Sequence, residues 1–444
     1  MTHNSIDTKS RLAGVINGAS YIEAEAELSK LRLLLIFKES ELSSSPQQAA
    51  LLTAINTGKR CFKGGVDVFI DSCDLNTPLP GYHNIPFKDC ITEVGGKIIT
   101  EYDVVHYSFI LYFGAFPKEE NSLRVVSDSW RGGVVKTDDV ILNYVTSINL
   151  GGILAGSLAV GKAFLFATQK INELEEVIMS AWDYKNVESL PATVQALPQS
   201  IWTLGLGHLG QAYLWTFSML PFHDTSSVNV LLQDYDHASV SNWESSVLTE
   251  QKDVGVKKTR VCSSYMEKKG FKTTIVERLF DSTIARQDKE PGFLLCGLDN
   301  ENARLSVKAS QFGLVIDCGL GGDVSSFDQL VIRIFPNLQK RPDEIWGKDL
   351  PKHAVSENLS RMYKDEFGCG YDDKGISTSF VGVFASVFVI AELVKAFNEG
   401  SKTEILSVKI RDIKHSYRSV VSSSYDRSLV IYGHTRITQA EVLT

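Results

Sequence analysis

The chain has 444 residues, 43% of them apolar and 22% charged, an ordinary globular composition with length enough for two domains. Its 45 Lys and Arg against 53 Asp and Glu leave a net charge of −8, which argues against nucleic acid or an anionic membrane as a general partner. Seven cysteines, an odd number with no C-x-x-C pair, argue against a disulfide scaffold and set the expectation of a reducing cytoplasm.

The first stretch, Met1 to Arg11, has no apolar run behind a basic end, so no secretory signal is expected. Glu23–Lys30 reads as helical, and Leu33–Phe37 and Val66–Ile70 read as short buried strands. Between them, Ser43-Ser44-Ser45-Pro46 makes a polar break before a helix through Ala54. Pro78, Pro80, Gly81 and Pro86 mark a loop, and Tyr107–Phe113 resembles a further strand. The uncharged runs Val140–Gly161, Ser189–His223 and Gly375–Ala391 are interrupted by Asn, Pro or Gly or are too short for the roughly 18 to 20 solidly apolar residues of a membrane span. They fit buried elements better. Asn186–Ser200, with Pro191 and Pro198, is the best linker candidate, dividing a domain over 1–185 from one over 198–444.

The first half echoes the second. Val126-Ser127-Asp128-Ser129-Trp130-Arg131-Gly132-Gly133 can be laid over Val315-Ile316-Asp317-Cys318-Gly319-Leu320-Gly321-Gly322, so that 317 and 322 each lie 189 positions after their counterparts. Gly151–Ser157 resembles Val381–Val387 at an offset of 230, which implies 41 extra residues in the second half. Chance matching of small residues is the bland alternative. A true repeat makes the helices Ile148–Phe164 and Ser379–Phe397 equivalent elements near a shared interface.

The most informative stretch begins at Ile201. An apolar strand, Ile201–Leu204, runs into Gly205-Leu206-Gly207-His208-Leu209-Gly210; a helix follows to Leu220, then a strand Val228–Leu232 that ends at Asp234. Glycines at that spacing allow a tight turn, close backbone approach to phosphate and close packing of helix on strand. The helix N-terminus adds N–H donors and a positive dipole end. Beyond it come Asp234-Tyr235-Asp236, Ser241-Asn242, Gly255-Val256-Lys257-Lys258, and Asp299-Asn300 with Arg304 one helical turn on. Strands at Thr273–Val276, Gly292–Cys296 and Gly313–Asp317, separated by helical segments, suit a mostly parallel sheet. Phe335–Cys369 is polar with Pro336, Pro342 and Pro351, and is read as a loop; Ser428–Tyr432 alternates as in a closing strand pair.

This combination resembles the ThiF/MoeB/HesA and ubiquitin-activating enzyme family over roughly Ile201 to Phe397. The resemblance implies tandem Rossmann-like adenylation folds, an inactive first half and an active second half. It implies ATP and Mg²⁺, bound by Gly205, Gly207, Gly210, Asp234 and Asp236, Asn242, Lys258, Asn300 and Arg304. Asp234 would take the ribose hydroxyls, Lys258 (or Lys257 in another register) the phosphate oxygens, and Asp299 the Mg²⁺. The activity implied is adenylation of the C-terminal glycine carboxylate of a ubiquitin-like or sulfur-carrier protein, with a conjugating enzyme as a further partner. The pseudo-dimer within one chain leaves a homodimer open.

Two departures bear on that reading. The family commonly continues Ser-Asn-x-x-Arg, whereas here Trp243-Glu244-Ser245-Ser246 follows Asn242. Losing that cation costs about 2.7–4 kcal/mol by analogy with one lost oxyanion donor. In two-half members an arginine near the start of the inactive half reaches across, and Arg11 is the earliest candidate. The zinc knuckle of many members has no cysteine pairs to build it. Cys369, flanked by Gly368 and Gly370, is either a thioester nucleophile or a bystander loop cysteine. Each site residue also has a bland reading: surface acid for Asp234, Asx turn for Asp299, solvated lysine for Lys257 and Lys258, inert core thiol for Cys296 and Cys318. Two other functions stay open. One is a degenerate adenylation fold kept as a binding scaffold; the other is a nicotinamide-dependent oxidoreductase, supported by the glycines and Asp234 alone.

Overall fold

The computed structural model describes residues 9–70, 76–83, 85–191, 193–194, 196–299, 301–307, 312–335, 356–367, 375–398, 401–424 and 434–436. The N-terminal half contains α1 (Tyr21–Lys30), β1 (Arg32–Phe37), α2 (Ser45–Cys61), β2 (Gly65–Ile70), α3 (Phe87–Glu93), β3 (Lys97–Ile99), β4 (Phe109–Phe113), β5 (Ser122–Ser127), β6 (Arg131–Val135), α4 (Leu150–Ala167) and β7 (Val177–Ser180). β1 carries five buried residues in succession, Leu33 to Phe37, as a strand covered on both faces requires. The sheet order is β3-β2-β1-β4-β5-β6-β7, parallel up to β5 and antiparallel over the last two pairings.

The second half repeats that plan. It contains β8 (Ala196–Pro198), β9 (Ser200–Leu204), α5 (His208–Phe217), β10 (Asn229–Gln233), α6 (Lys258–Lys268), β11 (Lys272–Val276), β12 (Phe293–Cys296), α7 (Glu301–Ser306), β13 (Leu314–Leu320), β14 (Gln329–Phe335), α8 (Glu357–Phe367), α9 (Ser379–Phe397), β15 (Ser401–Lys409), β16 (Tyr417–Ser424) and β17 (His434–Arg436). Its sheet runs β11-β10-β9-β12-β13-β14-β15-β16, which is the first order again with one strand added. The parallel and antiparallel pairings fall at the same places. The architecture is therefore a tandem of two Rossmann-like adenylation folds, with α2 and α5, and α4 and α9, in equivalent places.

The register corrects one part of the repeat. The paired rows that close the parallel strands are Phe37–Phe113–Val125 and Leu204–Cys296–Asp317. Asp317 thus corresponds to Val125 of the first half, and Asp128 falls three positions further along, beyond the end of β5. The hairpin that follows is tight in the first half and wider in the second, so a constant offset slips there.

α4 and α9 are long and apolar enough to cross a bilayer, yet 89% and 94% of their apolar windows are buried within the fold. They are core helices. Phe164 of α4 meets Phe380 of α9 at 5.9 Å between ring centroids, and Ser379 Oγ donates to Thr57 O at 2.9 Å. Small residues let α4 lie against α2: a Cβ on Gly152 would come 2.0 Å from Pro46 O, and one on Gly156 2.3 Å from Ala50 O. Phe62, Phe164, Trp215, Phe380 and Phe384 belong to one continuous core that spans both halves. At about 1.5–3 kcal/mol for each large side chain buried, that shared core holds the halves as one body.

Two expectations shift. α2 continues to Cys61, past Ala54, and its last turn faces the second half. The stretch read as a polar loop contains α8, whose Leu359, Met362 and Tyr363 sit at helical spacing and pack on Ala13, Tyr21 and Ala24. Tyr363 also donates its hydroxyl to Ser10 O at 2.8 Å. Ser428–Tyr432 lies outside the described residues; the closing strands within them are β15 and β16.

Candidate nucleotide site

β9 is the switch point of the second sheet: β10 follows on one side and β12 on the other, so a crevice opens at the C-terminal ends of β9 and β12. The glycine turn fills its floor. Gly205 holds φ +78°, and a Cβ there would strike the Gly297 carbonyl group at 2.9 Å. A Cβ on Gly210 would come 2.0 Å from Gly205 O, so this glycine lets helix and turn touch. Gly207 differs: a Cβ there would meet nothing within 4 Å. Gly207 is the N-cap of α5 and brings no side-chain cap to the first N–H groups, which leaves the helix end open to an anion.

Asp234 follows β10 directly. Its carboxylate accepts from the Leu206 N–H at 2.6 Å and from the Asp236 N–H at 2.8 Å, fixing the turn and the acid in one geometry. Asp236 pairs with Lys258, the first residue of α6, at 3.0 Å. Lys257 donates to Tyr235 O, so of the two lysines Lys258 is the one on the acid pair. Asp299 is exposed, three residues beyond β12. The charge of Asp236, then burial and the charges of Asp234 and Asp299, raise the Tyr235 phenol. Asn242 is spent on structure, its Oδ1 accepting from the Ser239 N–H at 2.8 Å.

Arg11 reaches this edge from the N-terminal segment. Its Nη2 donates to Ser241 Oγ at 3.2 Å, its backbone N–H donates to Glu244 Oε2 at 2.9 Å, and its Nε is buried without a hydrogen-bond partner. Lys63 of the N-terminal half holds the other oxygen of Glu244 at 2.9 Å. His208, within the turn, lies against the start of α9: Nδ1 is 2.8 Å from Ser377 Oγ, and a Cβ on Gly382 would sit 2.4 Å from Nε2. Burial pushes this imidazole down to about 4, so it is neutral at physiological pH. An uncapped helix end, Lys258 and a cation with an unused donor suit a phosphate chain.

Other sequence candidates fall elsewhere. Arg304 is buried against Asp317 at 3.2 Å and donates to Cys318 O at 3.0 Å, so its guanidinium braces β13. Asn300, Cys369 and Cys73 lie outside the described residues. Cys61, Cys90, Cys262, Cys296 and Cys318 are all buried free thiols. Burial raises every one, Cys61 to about 12 and Cys90 to about 11, which keeps them unreactive. Sequence reasoning missed Lys63, Glu244, Gln211 and Arg60, whose partners are on distant parts of the chain. His208 alone carried a local signal, its place inside the glycine turn.

Two sheets of one strand order, the second carrying a glycine turn with acid, lysine and aspartate at its switch point, define a protein of the tandem adenylation fold. The family model of the BilD N-terminal domain matches residues 32–174, and that of the BilD C-terminal domain matches residues 197–400. The chain is similar to the bacterial E1-like protein BilD of Collimonas sp. (strain OK412), with 29% identity over 410 residues that cover 88% of this chain and 87% of that protein. Among solved structures, Escherichia coli MccB is similar at 15% identity, covering 69% of this chain and 95% of its own, with a TM-score of 0.35. E. coli tRNA N6-threonylcarbamoyladenosine dehydratase, TcdA, solved with ATP, is similar at 14% identity over 45% of this chain and 85% of its own, with a TM-score of 0.29. Both likenesses are remote.

Proposed function

We propose that the chain is an ATP-dependent activating enzyme that adenylates the C-terminal glycine carboxylate of a small ubiquitin-like or sulfur-carrier protein and releases pyrophosphate. The observation that carries this reading is a glycine turn tied to Asp234, with Lys258 on Asp236 beside it, Asp299 just past the neighbouring strand β12, and Arg11 of the other half on Ser241. The triphosphate would lie on the open N-terminus of α5, and Asp234 would take the ribose. Lys258 would release Asp236 to hold phosphate oxygens. No group of three His, Cys, Asp or Glu side chains among the described residues could hold a metal, so Mg²⁺ would be held by Asp299 together with phosphate oxygens. Arg11, bound to Ser241 and Glu244 with its Nε unpartnered, would supply the cation missing from Ser-Asn-x-x-Arg, and this supports an active enzyme over a degenerate scaffold.

Acyl transfer to Cys369 is the second step of this reading. The carboxyl carbon of the adenylate would accept the thiolate, AMP would leave, and a thioester would remain. ATP–pyrophosphate exchange with the cognate small protein tests the first step. Exchange in the parent that disappears in Asp299→Ala supports it; absence of exchange with a partner that binds refutes it. A thiol-sensitive adduct lost in Cys369→Ala, with exchange retained, tests the second. An adduct that persists in that variant makes Cys369 a bystander.

A further inference from the structure

A buried polar chain runs from α2 of the N-terminal half to the glycine turn. It starts at Arg60, which is fully buried and near the end of α2. The guanidinium donates to Thr249 O and Val247 O, each at 2.9 Å, and to Trp243 O, with Glu250 at 3.2 Å. Asn56, one turn earlier, adds a donor to Val247 O at 3.1 Å. Thr249 then meets Gln211 of α5, whose Nε2 donates to Thr249 Oγ1 at 2.8 Å while its Oε1 accepts from the Leu248 N–H at 2.9 Å. The same Nε2 donates to Leu206 O at 3.0 Å, between Gly205 and Gly207. Arg60, Thr249 and Gln211 each have 0% of their surface exposed.

The placement gives each link a consequence. Removing Arg60 would leave two buried carbonyls and the part-buried Trp243 O without that donor, on the loop that also carries Ser241 and Asn242. Removing the Gln211 amide would free Leu206 O, beside the N–H that Asp234 holds. Arg60 faces no open crevice, and burial lowers its guanidinium to about 10 against the pull of Glu250, so it stays charged at neutral pH.

We propose that this Arg60–Thr249–Gln211 chain is the means by which the N-terminal half holds the glycine turn in its nucleotide-binding form. Arg60 and Gln211 are then positioning residues for the nucleotide, and the inference rests on the nucleotide reading given above. The experiment uses the full chain in two measurements: calorimetric titration with ATP and Mg²⁺, and amide hydrogen exchange over Gly205–Gly210. The variants are Gln211→Met, Thr249→Val, Arg60→Lys and the Arg60→Lys/Gln211→Met double. Each single change should weaken ATP roughly tenfold and speed exchange at the turn more than elsewhere in the chain, beyond the fall in apo melting temperature that its unpaired buried groups bring. The double variant should lose little more than either single, because members of one network act together; independent effects would multiply to roughly a hundredfold. Parent-like ATP affinity and turn exchange in Gln211→Met and Thr249→Val would overturn the proposal, as would fully multiplicative losses. Should Gln211→Met fail to fold, Thr249→Val, which keeps the shape and removes one hydroxyl, decides alone. A parent that binds no ATP refutes the nucleotide reading, whereas the exchange comparison judges the support of the turn by itself.

Discussion

The two switch points of this molecule share a topology and differ in chemistry. In the second half, β9 runs into Gly205–Gly210 and an α5 N-terminus with no side-chain cap. In the first, β1 runs into Lys38 and a short turn over Glu39–Glu41; Ser44 then caps α2 by accepting from the Gln47 N–H, and a proline enters its first turn. Two carboxylates and a capped helix end offer nothing to a phosphate, and α4 lies against Pro46 through Gly152. One fold thus holds a site that can take an anion and a site closed to it, and the difference lies in the loop after the first strand. The closed half keeps another role. Through Arg11, Lys59, Arg60 and Lys63 it supplies the positive groups that hold residues 241–250 of the open half.

The sharpest way to break that contrast is within the glycine turn. Gly210→Ala places a methyl 2.0 Å from a backbone oxygen and should cost more than about 2 kcal/mol of stability, read as a large fall in apo melting temperature. Gly207→Ala meets no protein atom within 4 Å, so it should melt like the parent yet bind ATP poorly. Equal melting losses in both would mean that the turn is structural throughout.

Next in size is the cation from the N-terminal half. Arg11→Ala should lower pyrophosphate exchange by about 10²–10³-fold, the loss expected for one charge-stabilising donor, with little change in melting temperature. Unchanged exchange would return Arg11 to a structural role and reopen the question of what replaces the missing Ser-Asn-x-x-Arg arginine.

A smaller effect separates the thiols. In the native protein, iodoacetamide should spare Cys61, Cys90, Cys262, Cys296 and Cys318, which are buried. Mass spectrometry of the labelled chain checks this. Modification of Cys296 or Cys318 before unfolding would contradict the burial described.

A pH effect is expected at His208. Its folded value of about 4 lies below the unfolded value of 6.5, so between those values the unfolded chain binds more protons. Stability contributed by the neutral ring is complete above about 6.5 and is lost as pH falls toward about 4. Subtracting the stability–pH curve of His208→Gln from that of the parent should give a difference that falls over this window. A flat difference would mean that His208 is not held neutral against α9.

Much of the second half was legible because its signals are local. Strand, glycine turn, strand and acid follow one another within 34 residues, from Ile201 to Asp234, and each constrains the next. The repeated order of the two halves was visible only in outline, since strand register is set by pairing between distant residues; Asp128 was accordingly laid three positions from its place. α8 was hidden by prolines upstream, although Leu359, Met362 and Tyr363 carried its period. The family resemblance implied a ligand role for Arg304, whereas its guanidinium is buried against Asp317, a partner from another strand that the sequence does not show. The links from Arg60 to Val247, Thr249 and Glu250 join residues nearly 190 positions apart, and no periodicity reports such contacts.

The most direct test of the account is the stoichiometry of nucleotide binding. Calorimetric titration of the full chain with ATP and Mg²⁺ should give one site per chain, abolished by Asp299→Ala or Lys258→Ala and untouched by Glu39→Ala in the closed half. Two sites per chain, or one site that survives both changes, would contradict it, as would binding of NAD⁺ in place of ATP.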